Sequence, residues 1–174
     1  MEQLRHSKPT IALHWLHALL IIGLLALGWY MADLPKGPER SNLIGLHKSF
    51  GIVALALIFL RAGWKFTQPA LPPAPGKPWE QTLAKAAHHL LYLLMLLVPV
   101  AGFLSSSFTK YPMKFFGIEL PRLFLPNEGI NDLFHELHEA SATVLAVVIG
   151  LHLLGVAVHK VRGEDVMPRM GIGR

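Results

Sequence analysis

Four long apolar stretches, at about residues 11–32, 43–66, 86–108 and 133–161, alternate with short polar segments along the chain. Each exceeds the roughly 20 helical residues needed to cross a hydrocarbon core of about 30 Å. The pattern predicts an all-α protein, a membrane-embedded four-helix bundle formed by residues 1–174 as a single domain. The first connection, Asp33-Leu34-Pro35-Lys36-Gly37-Pro38-Glu39-Arg40, is polar and broken by proline and glycine, which reads as a tight exterior loop. The second holds Gln68-Pro69 and Pro72-Pro73-Ala74-Pro75-Gly76-Lys77-Pro78, a stiff extended linker in which no helix persists. The third, from Thr109 to Asp132, mixes Phe115, Phe116, Leu123 and Phe124 with charges and reads as a short amphipathic segment on the membrane surface. The first apolar run follows Arg5 and Lys8 as a signal peptide would. Its length, its two histidines and the lack of a small-residue cleavage pattern favour a retained helix.

Composition agrees, with 52% hydrophobic and only 16% charged residues, a balance unusual for a soluble fold. The absence of cysteine excludes iron–sulfur clusters, thiolate-ligated or covalently attached haem, and disulfides. Histidine, with ten copies, is what remains for redox chemistry. A net charge of +5 in such a chain points to cytoplasmic loops and anionic lipid, and no basic stripe on a soluble face suggests nucleic acid. With a cytoplasmic N-terminus, Arg5, Lys8, Arg61, Lys65, Lys77, Lys85, Lys160, Arg162, Arg169 and Arg174 lie inside, ten of the sixteen basic residues. That count favours an N-in, C-in topology.

Ionisable side chains inside membrane helices are costly and mark functional sites. His138 and His152 are fourteen residues apart in the fourth helix, which returns them to within about 40° of one face at about 21 Å along the axis. That spacing fits two haems stacked across one bilayer. Each iron then needs a second imidazole at the matching depth from another helix. The first helix starts inside and places His14 at the depth of His152. The second starts outside and places His47 at the depth of His138. The expected pairs are His14 with His152 at the inner site and His47 with His138 at the outer one. Bis-imidazole ligation closes both axial positions, giving low-spin iron suited to electron transfer rather than oxygen binding.

Two further positions fit this register. Gly28, fourteen after His14, lies at the outer haem, where a missing side chain leaves room for a macrocycle; ordinary helix packing explains it equally well. Arg61, fourteen after His47, faces the inner haem and is placed to pair with a propionate, or else snorkels as a positive-inside anchor. His17 is the rival of His14 for the inner iron. His88, His89 and His135 read as interfacial groups, and His6 lies in the tail. A shared zinc ion is disfavoured, because His138 and His152 are too far apart for bonds of about 2 Å.

Leu13-His14-Trp15-Leu16, Gly45-Leu46-His47, His88 with Tyr92, Pro99 and Gly102, Leu137-His138-Glu139 and Gly150-Leu151-His152 together resemble the bacterial cytochrome b561 family, related to the cytochrome b subunits of nickel–iron hydrogenases. The resemblance covers nearly the whole chain. It implies a four-helix bundle in the bacterial inner membrane with two b haems on His14, His47, His138 and His152. It also implies electron delivery to ubiquinone, with oxidation of superoxide at the outer face as the best-defined activity of short stand-alone members.

Three functions compete at this stage. In the first, an enzyme moves electrons from superoxide through the two haems to ubiquinone, with Lys36, Arg40, Lys48, Lys110, Lys114 and Arg122 arranged to steer the anion. In the second, the chain is an electron relay and membrane anchor for a separate dehydrogenase or hydrogenase. In the third, a channel or scaffold uses its histidines for protons. For the first, a quinone headgroup at the inner face finds donors in His159, seven residues after His152, and in Lys77 on the proline linker.

Overall fold

The computed structural model describes residues 5–173, so Arg174, counted above for topology, lies outside the described residues. Its elements are α1 (Lys8–Ala32), α2 (Pro38–Phe66), α3 (Pro78–Ser107), a two-stranded hairpin β1 (Lys114–Phe115) and β2 (Ile118–Glu119), α4 (Glu128–Val161), and a 3₁₀ turn at Met167–Met170. All four α-helices are long and apolar enough to cross a membrane. Few large apolar side chains are buried, while Leu19, Ile22, Phe59, Leu60, Leu93 and Leu151 are more than half exposed. This is the distribution of a bundle whose outer surface meets lipid.

The helix ends match the apolar runs at the C-termini to within a residue, but every helix starts earlier than its run. Proline explains two of these starts. Pro38 and Pro78 are the first residues of α2 and α3, where a missing N–H costs nothing and φ is already helical. Pro78 therefore opens a helix rather than ending the linker. At α4 the Asn127 side chain accepts from the Ile130 N–H at 3.0 Å and caps a first turn bearing Glu128. α4 ends in a left-handed Gly163, with Gly163 N–H bonded to Lys160 O and Glu164 N–H to His159 O. This is a Schellman closure, and it folds Glu164 back toward His159.

The connection between α3 and α4 differs from the expected surface segment. Phe116 and Gly117 both have positive φ, 46° and 89°, which makes the two-residue turn that matches strand twist. Lys114 pairs with Glu119 and Phe115 with Ile118. The hairpin docks on α2: the Phe116 N–H donates to the buried Ser49 hydroxyl at 2.9 Å, and its ring meets Phe50 edge-on at 5.1 Å. Phe124 stacks on Phe108 at 4.7 Å, so this aromatic too packs on the bundle end.

Antiparallel helices give the bundle two ends, here the hairpin end and the linker end. α1 packs on α2, α2 on α3, and α3 on α4, whereas α4 barely meets α1 or α2. Between the ends lies an aliphatic core of Ile21, Ile58, Leu94, Met95, Leu145 and Val148, drawn from all four helices. At the linker end the chain after α4 closes over α1. Arg169 donates to the Pro72 and Pro73 carbonyls at 2.8 and 3.2 Å, and the Trp15 indole N–H donates to Met170 O at 3.0 Å.

Candidate functional site

At the hairpin end the rings of His47 and His138 face each other with centroids 6.0 Å apart and planes at 88°. Two imidazoles that each bond one metal at about 2 Å place their ring centroids about 6 Å apart, so the pair has the span an iron between them requires. The His138 Nδ1–H donates to the Val98 carbonyl of α3 at 2.8 Å. That bond leaves Nε2 as the free lone pair, the arrangement usual for a metal-bound imidazole. His47 Nδ1 is buried and meets no hydrogen-bonding group among the described residues.

Two glycines make room for these rings. A Cβ on Gly28 would lie 3.3 Å from His47 Cε1, and one on Gly102 would lie 2.8 Å from His138 Nδ1. Gly28 thus lies against the edge of the His47 imidazole, at the depth expected for the outer site. The role of Gly102 was missed in the sequence, although a signal existed: it lies fourteen residues after His88, the same interval found in the other three helices. The midpoints of the four intervals are Ile21, Ala54, Met95 and Leu145, and all four are buried.

At the linker end His14, His152, His88 and Arg61 lie within electrostatic range of one another. The Arg61 guanidinium donates to His14 Nδ1 at 2.8 Å and stands 5.3 Å above the Tyr92 ring. His88 meets His152 edge-on at 5.3 Å, and its Nδ1–H donates to Ala84 O. His88 is thus exposed and hydrogen-bonded, as an interfacial group is expected to be, and also lies against His152. His17 is 1% exposed, with both ring nitrogens buried and unpartnered among the described residues, so it remains the rival to His14. His89 bonds the Lys85 carbonyl, and the exposed His135 pairs with Glu139 at 3.2 Å, both at the surface as expected. Among the described residues no three His, Asp or Glu side chains converge on one point; at the hairpin end the imidazoles come in a facing pair.

Beyond this layer Lys77 caps α3 on an open cleft lined by Gly76, Lys77, Glu80, Arg162 and Glu164. His159 borders this cleft at Gly76, where a Cβ would lie 3.5 Å from its Cε1. Lys77 follows Gly76 in the chain and His159 approaches it, and two ion pairs lie at the cleft. His159 Nδ1 meets Glu164 Oε2 at 3.0 Å, and Arg162 meets Glu80 at 2.7 Å. Glu164 carries its signal in the sequence only as the residue after Gly163, where a helix closure returns the chain.

The fit of the paired imidazoles to haem iron agrees with comparison to known proteins. The prokaryotic cytochrome b561 family matches residues 5–173. Cytochrome b561 homolog 2 of Escherichia coli (strain K12) is 29% identical over 176 residues, covering 95% of this chain and 90% of that protein. Cytochrome b561 homolog 1 of the same organism is 28% identical over 175 residues, covering 95% and 96%. A probable superoxide oxidase CybB from Yersinia pestis is 28% identical over 160 residues, covering 89% and 88%. With four membrane-length helices, imidazoles opposed across the bundle and a family match spanning almost its whole length, this chain belongs to the prokaryotic cytochrome b561 family of multi-pass, haem b-binding membrane electron-transfer proteins.

Proposed function

We propose that the protein binds two b haems, one at each end of the bundle, and carries electrons across the bacterial inner membrane from periplasmic superoxide to ubiquinone. The observation that carries this reading is the opposed pair His47 and His138, 6.0 Å apart, repeated fourteen residues along α4 by a second imidazole layer at His152. When bound, haem b supplies a one-electron couple at each layer. The similarity to a probable superoxide oxidase supports superoxide as the donor.

The chain's own residues do the rest. His47 with His138, and His14 with His152, would hold the two haems, and two imidazoles on each iron would leave no position for oxygen. His14 Nδ1 accepts from Arg61 at 2.8 Å; ligation through Nε2 would put the imidazole proton on Nδ1 and leave the guanidinium beside the site as a cation. Helices that hardly touch leave the width that a ligand between α4 and α1 or α2 needs. At the linker end His159 and Lys77 donate to the two quinone carbonyls, and Glu164 returns protons to His159 through the 3.0 Å contact. Two superoxide ions each lose one electron and leave as dioxygen; one quinone gains two electrons and two protons and leaves as quinol.

The test is direct. Purified protein should show two b haems in reduced-minus-oxidised spectra with haem quantitation, and superoxide should reduce it and drive quinol formation. Spectral reduction by a dehydrogenase or hydrogenase, with none by superoxide, would replace this reading by the relay-subunit one. The linker end faces the cytoplasm in this reading, because it gathers most of the basic residues. A reporter fused after residue 174 is expected to be active only as a cytoplasmic reporter; a periplasmic signal would exchange the two ends throughout.

A further inference from the structure

We propose that α3, which gives no iron ligand to the hairpin-end pair, tunes that pair through the Val98 carbonyl, reached by His138 across the bare α-carbon of Gly102, and so makes it the site of lower reduction potential. The inference rests on the two-haem reading above.

The geometry has three parts. His138 donates Nδ1–H to Val98 O at 2.8 Å, which fixes the tautomer and leaves Nε2 with the free lone pair. A helix carbonyl has a second lone pair for such a bond. Gly102 is the gate. A Cβ there would lie 2.8 Å from His138 Nδ1 and 3.0 Å from Cε1, too close for a rigid ring to tolerate, so any side chain expels the imidazole from the carbonyl.

A carbonyl acceptor draws the Nδ1 proton outward and makes the imidazole a stronger electron donor. Stronger donation favours ferric over ferrous iron and lowers the potential. The linker end receives the opposite influence. Arg61, which stands 2.8 Å from His14 Nδ1, leaves a cation beside this layer, and a cation favours the reduced state. Lys48 places a positive charge in range of His47 as well, so each end has a cation and the carbonyl is what separates them. Electrons then run downhill from the hairpin end to the linker end.

The experiment is potentiometric titration of the full-length protein, with the two haem signals resolved optically and by low-spin electron paramagnetic resonance, for wild type and Gly102→Ala. In wild type, the haem lost in His47→Ala should be the one of lower potential. In Gly102→Ala that lower potential should rise while the other stays, and haem affinity at this site should fall by about 10- to 100-fold. A lower potential that does not move, two potentials that move together, or a hairpin-end haem of higher potential would overturn the proposal. If Gly102→Ala does not accumulate, the double variant Gly102→Ala/His138→Ala removes the clashing ring and should fold with one haem. Failure of the double variant where His138→Ala alone folds would make Gly102 a packing residue and overturn the proposal. A wild type with fewer than two haems would overturn the two-haem reading first, and that result is visible before any variant is made.

Discussion

Replacing His138 by alanine is expected to leave the protein with one haem b where wild type carries two, with the surviving spectrum that of the linker-end site. The loss should be clean because the hairpin end has no spare imidazole in place. His135, one turn earlier, is turned to the surface and paired with Glu139, and His47 faces His138 alone at 6.0 Å. Truncation also abandons the bond to Val98, so stability should fall by roughly 0.5–1.5 kcal/mol besides. His47→Ala should behave alike. At the linker end His152→Ala and His14→Ala are expected to remove the other haem, although His88 and His17 stand close enough to offer an imperfect substitute. Haem-to-protein ratios and the low-spin signal decide it. Retention of both low-spin haems in His14→Ala, together with loss in His17→Ala, would transfer the ligand role on α1 to the more deeply buried His17.

Quinone turnover should fall by roughly 100-fold or more in His159→Ala, the loss typical of a missing proton donor, with both haems spectrally intact. His159 is held by Glu164 at 3.0 Å and stands beside the loop that carries Lys77. Lys77→Ala should chiefly raise the KM for quinone, because a lost carbonyl donor weakens binding more than proton delivery. Glu164→Gln keeps the shape of the cleft while removing the acid that recharges His159, and should lower kcat with little change in KM. Steady-state quinone reduction measures all three. Unchanged kcat and KM in both His159→Ala and Lys77→Ala would remove the quinone from this cleft and direct attention to His88 and His89.

The helices were legible because lipid imposes a one-dimensional rule: about 20 apolar residues in a row. Their starts were not, because Pro38, Pro78 and Asn127 extend the helices through polar residues by local backbone chemistry that hydropathy does not register. The opposed pair of His47 and His138 followed from helical arithmetic and depth alone. The same arithmetic links His88 to Gly102, but a residue with no side chain announces nothing by itself, and its meaning appears only when the His138 ring is seen lying against it. Phe116 was read as part of an amphipathic segment on the membrane surface. Its positive φ and its bond to Ser49 are tertiary facts, set by a hairpin that closes on α2. Glu164 reaches His159 only through the backbone closure at Gly163.

Ile21, Ile58, Leu94, Met95, Leu145 and Val148 form one aliphatic cluster in the middle of the bundle, and none can pass a proton. Electrons tunnel through such a layer, whereas protons need a chain of polar groups or water. In the proposed orientation the two kinds of charge therefore part company. Electrons enter from the periplasmic side, and the protons that join them on quinone come from the cytoplasm. Each turnover then adds to the membrane potential instead of merely disposing of an oxidant, and works against about 2.3 kcal/mol for every charge carried through 100 mV. A polarised membrane should slow the reaction, and an ionophore that collapses the potential should release it.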